Sequence, residues 1–149
     1  DPGHRAAGLG ALRGLAGHAA GARRPLPLYD VTHRLESVPN ALEQAKQVAS
    51  AITGHAPPNP EAPWFWSDQY DLKLQIAGLP FGADSRVIRG DPAAAKFAIF
   101  HLKGDQVQAV EAVNAPPEFM MGKMLILNRK PVSRERLADS SISMKEVAA

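Results

Sequence analysis

Pro63-Trp64-Phe65-Trp66-Ser67-Asp68-Gln69-Tyr70-Asp71-Leu72-Lys73-Leu74-Gln75-Ile76-Ala77-Gly78-Leu79 decides the reading of this chain. Leu72, Leu74 and Ile76 alternate with Asp71, Lys73 and Gln75, the period of a strand with one face buried. Trp64 and Trp66, ahead of it, read as a polar loop whose two-residue spacing puts both indoles on one side. Rings at the edge of a sheet suit contact with a flat ligand or a partner, while simple packing at a domain junction would use the same residues.

Downstream, Arg86-Val87-Ile88-Arg89 reads as a second short strand. Lys96 to Leu102 and Gln106 to Val113 flank the Lys103-Gly104-Asp105 turn and predict a hairpin, with Phe97, Ile99 and His101 on one face and Phe100 and Leu102 on the other. Asn114-Ala115-Pro116-Pro117 is a helix entry, and Phe119, Met120, Met121, Met124, Leu125 and Leu127 supply an apolar face as far as Asn128. The methionines read as core filler. Ser133 predicts a capped turn through Leu137, and Ser143-Met144-Lys145-Glu146 matches a capping box. Strands followed by helices, without a strand–helix–strand rhythm, imply an α+β fold with an antiparallel sheet.

Upstream, Pro25-Leu26-Pro27-Leu28 is expected to be extended. Ser37 as cap, Pro39 in the first turn, apolar Ala41, Leu42, Ala45, Val48, Ala49 and Ile52, and Gly54 as stop predict a helix over about 38–53. His55 to Pro63 holds four prolines and reads as a semi-rigid connector. Residues 1–24 carry Gly at 3, 8, 10, 14, 17 and 21, and each costs a helix about 1 kcal/mol relative to Ala. This segment is expected to be disordered or misread. The first residue is Asp rather than Met, which favours a fragment. The expected organisation is therefore a low-complexity segment at 1–24, a helix and linker at 25–62, and an α+β domain at 63–149.

The 149 residues are 45% hydrophobic and contain no cysteine, so disulfides, zinc–thiolate sites and iron–sulfur ligation by this chain are excluded. The net charge of +2 comes mainly from Arg5, Arg13, Arg23, Arg24 and Arg34. Basic residues interleaved with stacking aromatics are missing, which argues against nucleic acid. The five histidines have no metal spacing, and no nucleophile elbow occurs. No apolar run approaches a membrane span, and a cytoplasmic protein is expected.

Arg34-Leu35-Glu36-Ser37-Val38-Pro39-Asn40-Ala41, the 63–79 stretch, Arg89-Gly90-Asp91-Pro92, Val113-Asn114-Ala115-Pro116 and Leu137-Ala138-Asp139 together resemble the C-terminal portion of FAD-dependent NADH:ferredoxin reductases. These are the putidaredoxin reductase-like proteins that serve oxygenase and cytochrome P450 systems. The resemblance covers Pro25 to Ala149. It implies that 25–62 holds a remnant of the FAD-binding domain and 63–149 the reductase C-terminal domain.

The resemblance also implies a partial FAD site. A helix start favours anions and carbonyls that gain charge, and in the family the Ser37, Val38 and Pro39 turn lies against the isoalloxazine. Glu36 would sit on the nicotinamide side, although an ion pair with Arg34 is the plainer use of that carboxylate. Trp66 would be the ring nearest the flavin and Trp64 the second. A small iron–sulfur ferredoxin would dock nearby, drawn by Lys73, Arg86 and Arg89. NADH would reduce FAD, and FAD would pass single electrons to the ferredoxin. Family members carry two Gly-x-Gly-x-x-Gly fingerprints, and neither occurs in this sequence. The expectation is a reductase fragment without independent activity, joined by the missing FAD- and NAD-binding portion. The alternatives are a non-catalytic module that binds a ferredoxin or an intact reductase, and an unstable fragment.

Overall fold

Alternation after the tryptophans builds an inner strand of a sheet. The computed structural model describes residues 24–26, 28–59 and 61–149. The expectation for 1–24 therefore lies, but for Arg24, outside the described residues. The chain divides into two compact units, 1–60 and 61–149.

In the first unit, β1 (Arg24–Leu26) and β2 (Val31–His33) pair antiparallel. The extension of this segment was expected, but the second strand was not legible. Their turn passes through Asp30 at φ 51°, a left-handed conformation that Asp tolerates. The helix α1 (Val38–Thr53) begins at the Ser37 cap and stops at Gly54, φ 72°, as its sequence predicts. Its apolar stripe departs from expectation. Leu42 and Ile52 are 59% and 73% exposed, and Ala45 and Ala49 also face solvent, while Glu43, Gln44 and Gln47 are half-buried.

The second unit holds β3 (Trp64–Gln69), β4 (Leu72–Gly78), β5 (Ser85–Asp91), β6 (Lys96–Lys103) and β7 (Gln106–Val113). They form one antiparallel sheet in the order β3-β4-β7-β6-β5. The tryptophan segment is thus an edge strand rather than a loop. Polar Ser67, Asp68 and Gln69 suggested a loop, but an edge strand of a sheet open on one face can carry them into solvent. Tyr70, fully exposed at φ 56°, turns the chain into β4.

α2 (Pro116–Asn128) packs on the sheet centre through Gly122, where an added Cβ would meet Val110 Cγ1 at 2.7 Å. Only glycine lets the helix approach that closely. Phe100, Leu102, Val110, Leu125 and Leu137 are completely buried between the layers. Met120 and Met124 are not core filler: they lie 58% and 50% exposed on the outer side of α2, whereas Met144 is buried. The short α3 (Arg134–Ala138) and α4 (Met144–Ala148) close the domain. Among the described residues no helix is long and apolar enough to cross a membrane.

Arg89 also departs from its expected role. It points to the helix side of β5, 4% exposed, and donates to Glu118 Oε1 at 3.1 Å and to the carbonyls of Leu137, Asp139 and Ile142 at 3.3, 2.6 and 2.6 Å. A guanidinium so occupied cannot attract a partner.

The predicted capping box at α4 forms. Ser143 Oγ and N donate to Glu146 Oε2 at 2.6 and 2.9 Å, and these bonds hold the carboxyl below its usual 4.5. Because the folded value is the lower one, this contribution is complete above the unfolded value and is lost as pH falls through the folded value. The expected result is that Ser143→Ala returns the Glu146 midpoint toward 4.5, read by NMR titration of the side-chain carboxyl.

Candidate functional site

Ser37 is extended at φ −140°, and its Oγ accepts from Asn40 N at 3.3 Å. Pro39 has no amide hydrogen, and Ala41 N donates to Ser37 O at 3.0 Å. The Val38 N–H is then the first-turn donor without a partner among the described residues. Asn40 is buried, its Nδ2 donates to Leu35 O at 2.8 Å, and its Oδ1 has no partner among the described residues. A buried acceptor left open costs stability until some donor reaches it. Glu36 pairs with Arg34 at 2.9 Å, both side chains largely in solvent. Such a pair is worth at most about 1 kcal/mol.

Trp64 and Trp66 lie two residues apart on β3, opposite Ala77 and Gln75. Their ring centroids are 5.5 Å apart with planes at 30°. Trp64 also touches Phe119 of α2 at 5.9 Å, so both indoles belong to the helix side of the sheet. Trp66 is 42% exposed, and Trp64 is half-buried beneath it. The expectation of one covered ring and one available ring describes this pair.

Phe65 points the other way, in register with Ile76, Glu111, Ile99 and Ile88 across the open face. His101 Nε2 and Glu111 Oε1 lie 2.6 Å apart on that face. The tryptophans and the open face are therefore separate surfaces. Of the three cations expected to attract a partner, Lys73 and Arg86 are exposed and Arg89 is not. The structure groups Glu36, Ser37, Val38 and Pro39 in the first unit and Trp64 with Trp66 in the second. Asn40 was missed as a candidate site residue. Its position three residues after the Ser37 cap was the available signal, and its open Oδ1 could come only from the fold.

Residues 64–148 match the family model described as reductase C-terminal. The chain is 56% identical over 126 residues to the probable ferredoxin reductase CtmF of Castellaniella defragrans, covering 84% of this chain and 31% of that protein. It is 48% identical over 122 residues to putidaredoxin reductase CamA of Pseudomonas putida, covering 82% of this chain and 29% of that protein. The solved covalent complex of putidaredoxin reductase with putidaredoxin superimposes with a TM-score of 0.80 at 47% identity, over 85% of this chain and 30% of that one. The chain thus spans less than a third of the length of these relatives.

Proposed function

The chain belongs to the reductase C-terminal family, and from that premise we propose that it works as the C-terminal part of an FAD-dependent reductase passing electrons from NAD(P)H to a ferredoxin. The supporting observation is that the identity to a ferredoxin reductase runs over 126 residues, more than the 64–148 segment holds, and so includes part of the first unit. The exposed apolar stripe of α1 suits a helix that belongs to a larger body.

The residues fit one edge of a flavin. Among the described residues Val38 N–H has no acceptor and Asn40 Oδ1 no donor, and the two lie within one helical turn, which suits a ring edge bearing a carbonyl and an N–H. Separately, in the second unit, the exposed indole of Trp66 suits contact with a flat ring or a partner surface. When bound, FAD would accept hydride from NADH and release single electrons. The NADH site would lie in the rest of such a reductase. Glu36, freed from Arg34, would face the nicotinamide, and a cytoplasmic location follows from the same reading.

The test is titration of the purified chain with FAD, followed by tryptophan emission. Saturable quenching is expected. Val38→Pro removes the open N–H while keeping a residue favoured at the first helical position. Loss of one such hydrogen bond is expected to weaken FAD binding about tenfold. No saturable quenching, or equal affinity in the variant, overturns the flavin reading.

A second reading is a non-catalytic interaction module that binds a ferredoxin or an intact reductase. It is favoured by exposed Trp66 on the edge strand β3 and exposed Tyr70 in the turn that follows it. It requires binding of a ferredoxin by the chain in the absence of flavin.

A further inference from the structure

The ring of Trp66 is held through a series of contacts that starts on other elements. Lys123, on α2, donates from Nζ to Glu61 Oε2 at 2.8 Å. The same Nζ lies 5.2 Å from the centroid of Trp64. Trp64 is flanked by Phe119 at 5.9 Å and by Trp66 at 5.5 Å. The Lys123 side chain is 20% exposed, against 57% for Glu61. A cation withdrawn from water interacts more strongly with an indole face than an exposed one. Glu61 fixes where that cation sits, and Phe119 blocks the Trp64 ring from turning toward α2.

We propose that Lys123 is a positioning residue for Trp66. Its ammonium group, anchored by Glu61, pins Trp64, and Trp64 in turn sets the orientation of the exposed indole. On an edge strand, a 42% exposed tryptophan would otherwise sample several staggered rotamers. Fixing it in advance lowers the ordering cost of any flat ring or partner surface that meets it. The positioning does not rest on the flavin reading above.

The competing use of Lys123 is an ordinary surface ion pair with Glu61, which would leave the indoles unaffected. The two uses separate spectroscopically. The sequence contains two tryptophans, so an indole–indole exciton couplet in circular dichroism belongs to this pair alone. Lys123→Met keeps most of the apolar stem and removes the charge, and Lys123→Arg keeps charge and reach. The expected result is a couplet reduced at least twofold in Lys123→Met and largely retained in Lys123→Arg, with Trp66→Phe as the zero.

A couplet of native size in Lys123→Met overturns the proposal, as does an equal loss in Lys123→Arg. Should Lys123→Met not fold, Glu61→Gln releases the ammonium from the surface: a smaller couplet supports the proposal and an unchanged one overturns it. All of this is read without flavin. Failure of FAD to quench emission would therefore sink the flavin reading and leave the couplet result standing.

Discussion

Arg89→Met is expected to destabilise the second unit by about 3–5 kcal/mol, the range for removing one partner of a buried charged network. Methionine fills much of the same space but donates nothing. Glu118 loses its partner at 3.1 Å, and the carbonyls of Leu137, Asp139 and Ile142 lose theirs. Glu118 is 19% exposed and recovers some hydration, so the unpaired carbonyls carry much of the cost.

All three carbonyls lie in or after α3. The loss should therefore appear first as detachment of the 134–148 segment, with faster amide exchange there than in β6 and β7. Urea unfolding measures the total. With a slope of roughly 1–3 kcal/mol per molar, the midpoint should fall by about 1 M or more. A loss below about 1 kcal/mol would mean that water replaces the guanidinium and that Arg89 does not anchor the C-terminal helices. Arg89→Lys should recover less than half, because an ammonium cannot reach the same fork of acceptors.

Asn114→Ala is expected to cost about 4 kcal/mol, from three hydrogen bonds at about 1 kcal/mol each and about 1 kcal/mol of backbone strain. Asn114 sits at φ 48° at the end of β7. Its Oδ1 accepts from Lys73 N at 2.9 Å, and its Nδ2 donates to Asp71 O at 3.2 Å and Ala95 O at 3.0 Å. One side chain therefore ties the β3–β4 turn and the β5–β6 turn to the start of α2.

Asn114→Gly separates the two contributions, since glycine accepts the left-handed conformation and makes none of the side-chain bonds. It should be about 1 kcal/mol more stable than Asn114→Ala by denaturant unfolding. Equal stabilities would put the whole effect in the hydrogen bonds.

The strands were legible because alternation is a local property. Leu72, Leu74 and Ile76 repeat at two residues, and the 96–113 hairpin carries its own turn. The same holds for the Ser37, Ser133 and Ser143 caps, which satisfy amides within one turn of themselves. Apart from the short β2, whose partner is a few residues away, what failed concerned partners distant in sequence. The tryptophan segment became a strand because β4 pairs with it, and its polar half concealed that pairing. Of the candidate site residues, the Ser37 cap and the exposure of Trp66 could be read in advance. The open Asn40 Oδ1 and the Lys123 contact to Trp64 could not.

By itself, then, the sequence determined the types of most elements, the α+β class, the helix starts and the resemblance to ferredoxin reductases, because periodicity, capping and motif identity are written within a few neighbouring residues. The tertiary structure alone decided which cations are free and which indole is available. Arg89 is spent because three carbonyls some fifty residues away converge on it, and Trp66 is presented because α2 brings Lys123 and Phe119 against Trp64. A charge or a ring has no fixed use in a sequence; its use depends on the distant groups that the fold places within hydrogen-bond or van der Waals reach.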